Sequence, residues 1–114
     1  MKPQRLVLKI GTNVLQRPNG KLDYNQISEF TQLVAEIRSQ KHEVLIISSG
    51  AVGAGRELCQ FDSAENPLIQ KQILASVGQA RLMQIYTDFL REHLLTIAQV
   101  LLTLTDFGNR TSYL

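Results

Sequence analysis

The sequence predicts an α/β fold built on a small, mainly parallel sheet, and three observations predict it. Short apolar runs recur at Leu6–Ile10, Val44–Ile47 and Ile97–Leu102. They are nearly continuous rather than alternating, as expected of strands covered on both faces. The stretches between them repeat apolar residues at helical spacing. Strands separated by helical crossovers run parallel, with right-handed connections.

The elements follow in order. Leu6-Val7-Leu8-Lys9-Ile10 is the first strand. Arg17-Pro18-Asn19-Gly20 is a turn, with Asn-Gly its strongest local signal. Ile27, Phe30, Val34 and Ile37 recur as one helical stripe, widened by Leu33. Asp23 is the expected N-cap of that helix, with Gln26 three residues on. Val44–Ile47 is the second strand, and a short helix begins at Gly50 or Ala51 and ends near Leu58. Gln60 to Glu65 is a polar connection. Asn66-Pro67 reads as an N-cap followed by proline at the first helical position. The helix it opens runs to about Leu94, with Ile69, Ile73, Val77, Ala80 and Leu82 to Phe89 giving wide apolar coverage. Gly78 interrupts that helix and marks either close packing or a kink. Tyr86 and Phe89 are core candidates. Ile97–Leu102 is the third strand, and the polar tail Thr103–Leu114 ends without a terminating signal. Three strands fall below the usual four to six of a sheet. The expectation is therefore the first half of a larger α/β domain.

Composition narrows the function. The chain has 114 residues, 44% of them hydrophobic and 19% charged. At about 100–200 residues per domain, that is one domain at most. Lys plus Arg is 12, Asp plus Glu is 10, and the net charge is +2. So balanced and dispersed a charge set excludes a disordered tail and argues against a nucleic-acid footprint. No apolar run approaches the roughly 18 residues of a membrane span, and the start is not a secretory segment. Cys59 is the single cysteine, so no internal disulfide exists and a reducing cytoplasm fits.

In open parallel sheets, ligands bind at the carboxyl ends of the strands. Lys9-Ile10-Gly11-Thr12-Asn13 follows the first strand and Ser48-Ser49-Gly50-Ala51-Val52-Gly53-Ala54-Gly55-Arg56 the second. Small residues there let a ligand approach the backbone, and a helix start favours phosphate or carboxylate. The same residues also suit a tight strand-to-helix turn that needs them only for packing, and both readings stay open. The segment is neither a Walker loop nor a clean dinucleotide fingerprint, and it is not a serine-hydrolase elbow. Lys9 lies in an apolar strand, where a lysine is seldom buried without a partner. It either neutralises a transferring phosphoryl group or packs its stem while its ammonium reaches water. His42 and His93 lack metal-ligand spacing and are read as surface or capping residues. Cys59 is read as a small packed side chain. Arg81 is read as a structural tie or solvated side chain, and Asp106 and Arg110 as a helical pair.

Together the pieces resemble a known family. Val7-Leu8-Lys9-Ile10-Gly11-Thr12-Asn13-Val14-Leu15 resembles the opening strand and turn of glutamate 5-kinases. Ile46 to Arg56 resembles that family's second glycine-rich segment, and Lys71 to Gln84 its long helix. Gln99-Val100-Leu101-Leu102-Thr103 with Asp106-Phe107 and Arg110 resembles its next strand and loop, although Leu104 stands where the family commonly has a basic residue. The first glycine turn is shared across the amino-acid kinase superfamily. The Ser-Ser-Gly-Ala-Val and Val-Gly-Gln-x-Arg-Leu-Met-Gln segments are more specific to glutamate 5-kinases. The likeness implies a three-layer α/β/α amino-acid kinase fold, with residues 1–114 as its N-terminal, substrate-side half and the nucleotide-binding half absent from the chain. It implies ATP-dependent phosphorylation of the side-chain carboxylate of L-glutamate, with Mg2+, on the way to proline. It also implies proline as a feedback inhibitor, a homo-oligomer when full length, and a cytoplasmic enzyme without nucleic-acid or membrane partners. By the same likeness, Lys9 helps neutralise the transferring phosphoryl group. Gly11 and Thr12 lie against the phosphates, and Ser49, Gly50 and Ala51 hold glutamate. No metal ligand is assigned. The rival expectations are a non-catalytic binding module derived from such a kinase, or another carboxylate or carbamate kinase of the superfamily.

Overall fold

The computed structural model of the chain describes residues 2–61 and 66–101. Strand β1 (Arg5–Ile10) pairs in parallel with β2 (Glu43–Ser48), with Arg5 opposite Glu43 and Ile10 opposite Ser48. Helices α1 (Thr12–Leu15) and α2 (Tyr24–Ser39) lie between them in sequence. After β2 come α3 (Ala51–Arg56) and α4 (Pro67–Arg91).

Local chemistry sets the helix ends. The Asp23 carboxylate accepts from the Asn25 and Gln26 amides, and the Asn66 side chain accepts from those of Leu68 and Ile69. Each cap satisfies donors that a first helical turn leaves without partners. Helix α4 stops at Arg91, before the expected Leu94. There Leu94 turns left-handed at φ 61°, while the Leu95 amide bonds the Leu90 carbonyl and the Leu94 amide that of Arg91. This is a Schellman closure with leucine in place of the usual glycine. The turn at Arg17–Gly20 forms as expected, with a 2.9 Å bond from the Gly20 amide to the Arg17 carbonyl. It joins an antiparallel bridge between Gln16 and Leu22 that the sequence pattern did not suggest.

The core gathers Ile10, Leu15, Leu22, Ile27, Ala54, Leu82, Ile85 and Tyr86, with Phe89 packed against it. Burial of each large apolar side chain contributes about 1.5–3 kcal/mol. Gly78 marks close packing, not a kink. A Cβ there would overlap the Ala51 carbonyl, and one on Gly55 would overlap the Leu74 carbonyl. Backbone therefore meets backbone where α3 crosses α4.

Four expectations are corrected. The strands are not covered on both faces, because exposure alternates along each of them. Helices α2 and α4 touch each other and pack on the same side of the sheet, leaving the opposite face open. The third strand does not form over Ile97–Leu101, and Leu102 lies outside the described residues. Residues 95–100 instead line a cavity of about 880 Å³ along β2. A strand exists only through its ladder of hydrogen bonds, and apolar composition alone does not supply one. Ile69, Ile73, Val77 and Ala80 of α4, and Leu33 of α2, are exposed rather than core. The buried stripe of α4 runs instead through Leu74, Gly78, Leu82, Ile85, Tyr86 and Leu90. His42 is buried, not on the surface. Its Nδ1 accepts the Gln4 amide at 3.0 Å, and its carbonyl accepts from Arg38 at 2.7 Å.

Candidate functional site

Parallel pairing brings the carboxyl ends of β1 and β2 side by side, and hydrogen bonds tie the turns that follow. The Ser49 amide donates to the Ile10 carbonyl at 3.1 Å, extending the ladder by one bond. Gly11 then caps α1, its carbonyl accepting from the Val14 and Leu15 amides. Thr12, the first residue of α1, donates from Oγ1 to Ser49 Oγ at 3.0 Å. Residues 37 apart in sequence thus join the two turns side chain to side chain.

The second turn depends on Gly50. Its φ is +108°, a left-handed value that strains any other residue, and a Cβ there would lie 3.2 Å from Leu15 Cδ1. Ala51 follows as the first residue of α3. Ser49 Oγ accepts from Thr12, and its own proton reaches only the Ile10 carbonyl at 3.5 Å, the outer limit of a hydrogen bond. The Ser49 hydroxyl therefore keeps donor capacity for an incoming acceptor.

Beneath the turn, Ser48 Oγ lies 2.7 Å from the Tyr86 hydroxyl and donates to the Ser49 carbonyl at 2.7 Å. Burial pushes the Tyr86 phenol above its ordinary pKa, against the opposing effect of its bond to Ser48. No sequence signal points to this link, because a tyrosine in an apolar helix reads as packing and its partner is 38 residues away.

Gly11, Thr12, Ser49, Gly50 and Ala51 are thus brought together at one end of the sheet. Lys9 is near them in sequence but exposed, opposite Ile47 on the open face. No hydrogen bond or ion pair of Lys9 is found among the described residues. Its ammonium is free for a ligand, as its snorkelling alternative also requires.

Other candidate groups lie elsewhere. A cavity of about 650 Å³ is lined by Lys21, Tyr24, Arg56, Glu57, Leu58 and Gln60, none of them in the strand-end turns. There the Tyr24 hydroxyl donates to Glu57 at 2.6 Å. Burial first, and the Glu57 bond second, raise the Tyr24 pKa, while Arg81 pulls it down. Arg81 lies close enough to act on the Tyr24 hydroxyl, and its Nε is buried without a hydrogen-bond partner among the described residues. Cys59 is half-buried and unpaired by any disulfide. Asp106 and Arg110 lie outside the described residues. No helix among the described residues is long and apolar enough to cross a membrane.

Glycine turns at the ends of parallel strands, joined by hydroxyls and followed by helices, define an α/β protein with its strand-end turns side by side, and the sequence comparisons specify its family. The chain belongs to the amino acid kinase family, which it matches over residues 4–114. It is similar to the glutamate 5-kinase of Deinococcus radiodurans, 44% identical over 110 residues that cover 96% of this chain and 30% of that protein. It is 41% identical to the glutamate 5-kinase of Halalkalibacterium halodurans over 99% of this chain and 30% of that protein. With the glutamate 5-kinase of Lactococcus lactis subsp. cremoris it shares 37% identity over 94% of this chain and 40% of that protein. The chain therefore spans 30–40% of the length of these relatives.

Proposed function

We propose that this chain is the N-terminal, substrate-side part of a glutamate 5-kinase. The activity is transfer of the γ-phosphoryl group of ATP to the side-chain carboxylate of L-glutamate, giving γ-glutamyl phosphate. The observation that carries this reading is the Thr12–Ser49 bond, which joins both glycine turns into one cradle of donors at the sheet end. The names of the relatives supply the substrate.

In this reading Ser49, Gly50 and Ala51 hold glutamate, the Ser49 hydroxyl donating to a carboxylate. Gly11 and Thr12 lie against the phosphates, and the free ammonium of Lys9 neutralises charge on the transferring group. Phosphoryl transfer needs little covalent help from protein and depends on positioning and charge neutralisation. Nucleotide binding falls to sequence beyond the residues assigned here. Magnesium accompanies the nucleotide in such chemistry, but no group of three or more His, Cys, Asp or Glu able to hold a metal is found among the described residues. None of the described residues is assigned to it, and no step is routed through it. A cytoplasmic setting, a homo-oligomer and feedback by proline accompany the same reading.

The test replaces the matching segment of the Deinococcus radiodurans relative with this sequence and traps the acyl phosphate with hydroxylamine. The chimera forms γ-glutamyl hydroxamate with ATP and glutamate. Lys9→Ala lowers kcat by about 10²–10³. Ser49→Ala raises the glutamate KM about tenfold, the loss of one hydrogen bond to a charged group. Wild-type turnover in Lys9→Ala removes that residue from the mechanism. An unchanged KM in Ser49→Ala removes the glutamate assignment.

A further inference from the structure

The cavity at the junction of α2 and α3 carries an excess of positive charge. Three segments of the chain form its wall. Lys21 comes from the bridge before α2, Tyr24 is the first residue of α2, and Arg56 and Glu57 stand at the end of α3. A volume of about 650 Å³ is that of a small-molecule site. Glu57 is the one acid among its lining residues, and it already accepts the Tyr24 hydroxyl proton at 2.6 Å. Arg81 adds a third cation beside that pair, with its Nε buried and unpartnered. Arg5 with Glu43 is the only ion pair among the described residues, so Lys21, Arg56 and Arg81 have none there.

Exposed cations usually point into water and need no ligand. Arg56 differs because the chain holds its head group in place. Gly20 turns at φ +82°, and a Cβ there would lie 3.0 Å from Arg56 Nη1. The missing side chain leaves room for the guanidinium, and Nη1 donates to the Gly20 carbonyl at 3.4 Å. That single long bond uses one of five N–H donors. The remaining fork suits two oxygens of one phosphate or carboxylate. Lys21 is exposed on the same wall, and its ammonium makes no hydrogen bond among the described residues. Like charges gathered this way repel one another, and a bound anion relieves the repulsion.

We propose that this cavity binds the oxyanion group of a small ligand, a phosphate or a dicarboxylate, with Arg56 as the forked donor and Lys21 as the second cation. Glu57 stays turned to Tyr24 and takes no part in holding the anion. None of the lining residues belongs to the strand-end turns, and the inference does not depend on the glutamate kinase reading.

The experiment follows backbone amide resonances of the chain during titration with inorganic phosphate and, in a second arm, with succinate. Sodium chloride at matched ionic strength is the control. The expected result is saturable shifts at Lys21, Tyr24, Arg56 and Glu57 in at least one arm and none that saturate with chloride. The arm that saturates at lower concentration identifies the chemistry of the ligand. Arg56→Gln weakens that binding at least about tenfold, the loss of charge-assisted hydrogen bonds. Lys21→Gln weakens it about threefold to fivefold, the range of an exposed ion pair. Lys21 makes no side-chain contact that folding needs, so this variant keeps the test valid should Arg56→Gln loosen the turn at Gly20. A fourfold rise in ionic strength lowers the affinity further, because the contacts are exposed. Shifts confined to the strand-end turns, shifts that saturate in neither arm, or equal affinity in Lys21→Gln and wild type would each overturn the proposal.

Discussion

The two faces of the β1–β2 sheet carry similar side chains and have opposite surroundings. On one face Ile10 is buried and Ile46 packs beside it against Leu82, Ile85 and Tyr86. On the other, Val7 is 57% exposed, Leu45 46% and Ile47 50%. The Arg5–Glu43 ion pair closes one end of that open face and Lys9 stands at the other. Side chains alternate across a strand, so the difference comes from the side on which α2 and α4 lie. Strand composition marks surfaces that suit apolar cover, and the placement of the helices decides which surface has it.

Substitutions on the two faces test that difference. Ile10→Ala, on the covered face, costs about 2–5 kcal/mol, read from the urea midpoint. A loss below about 1 kcal/mol would mean that the core is not centred there. The next effect is a pH dependence. Burial raises the pKa of Tyr86, and burial with the Glu57 bond raises that of Tyr24. The unfolded chain then ionises first, so the stability from both tyrosines is complete below about pH 10 and is lost as pH rises through their folded values. Tyr86→Phe flattens this alkaline decline, and an unchanged slope would contradict the burial argument. The smallest effect belongs to the open face. Leu45→Lys changes stability by no more than about 0.5 kcal/mol and raises solubility. A large loss would show that the open face is covered in solution.

The sequence revealed what neighbours in the chain decide. Asp23 and Asn66-Pro67 were legible as caps because a cap is a local arrangement of side chain and amides. The turn at Asn19-Gly20 was legible for the same reason. Helix α1, four residues long, is too short to show a period. The burial of His42, the exposure of Ile69 and Ile73, and the unpaired state of Ile97–Leu101 depend on partners far along the chain. The gathering of Gly11, Thr12, Ser49, Gly50 and Ala51 at one end of the sheet was legible from their place after the two strands. The Thr12–Ser49 and Ser48–Tyr86 bonds were not, because each spans nearly 40 residues and involves side chains common in plain packing roles.

The most direct test of the central claim is to titrate the protein with L-glutamate and map the shifted amide resonances. The account predicts saturable shifts concentrated at Gly11, Thr12, Ser49, Gly50 and Ala51, and saturation at about tenfold higher glutamate in Ser49→Ala. Shifts confined to the cavity along β2, or none that saturate, would contradict a glutamate site at the joined strand ends.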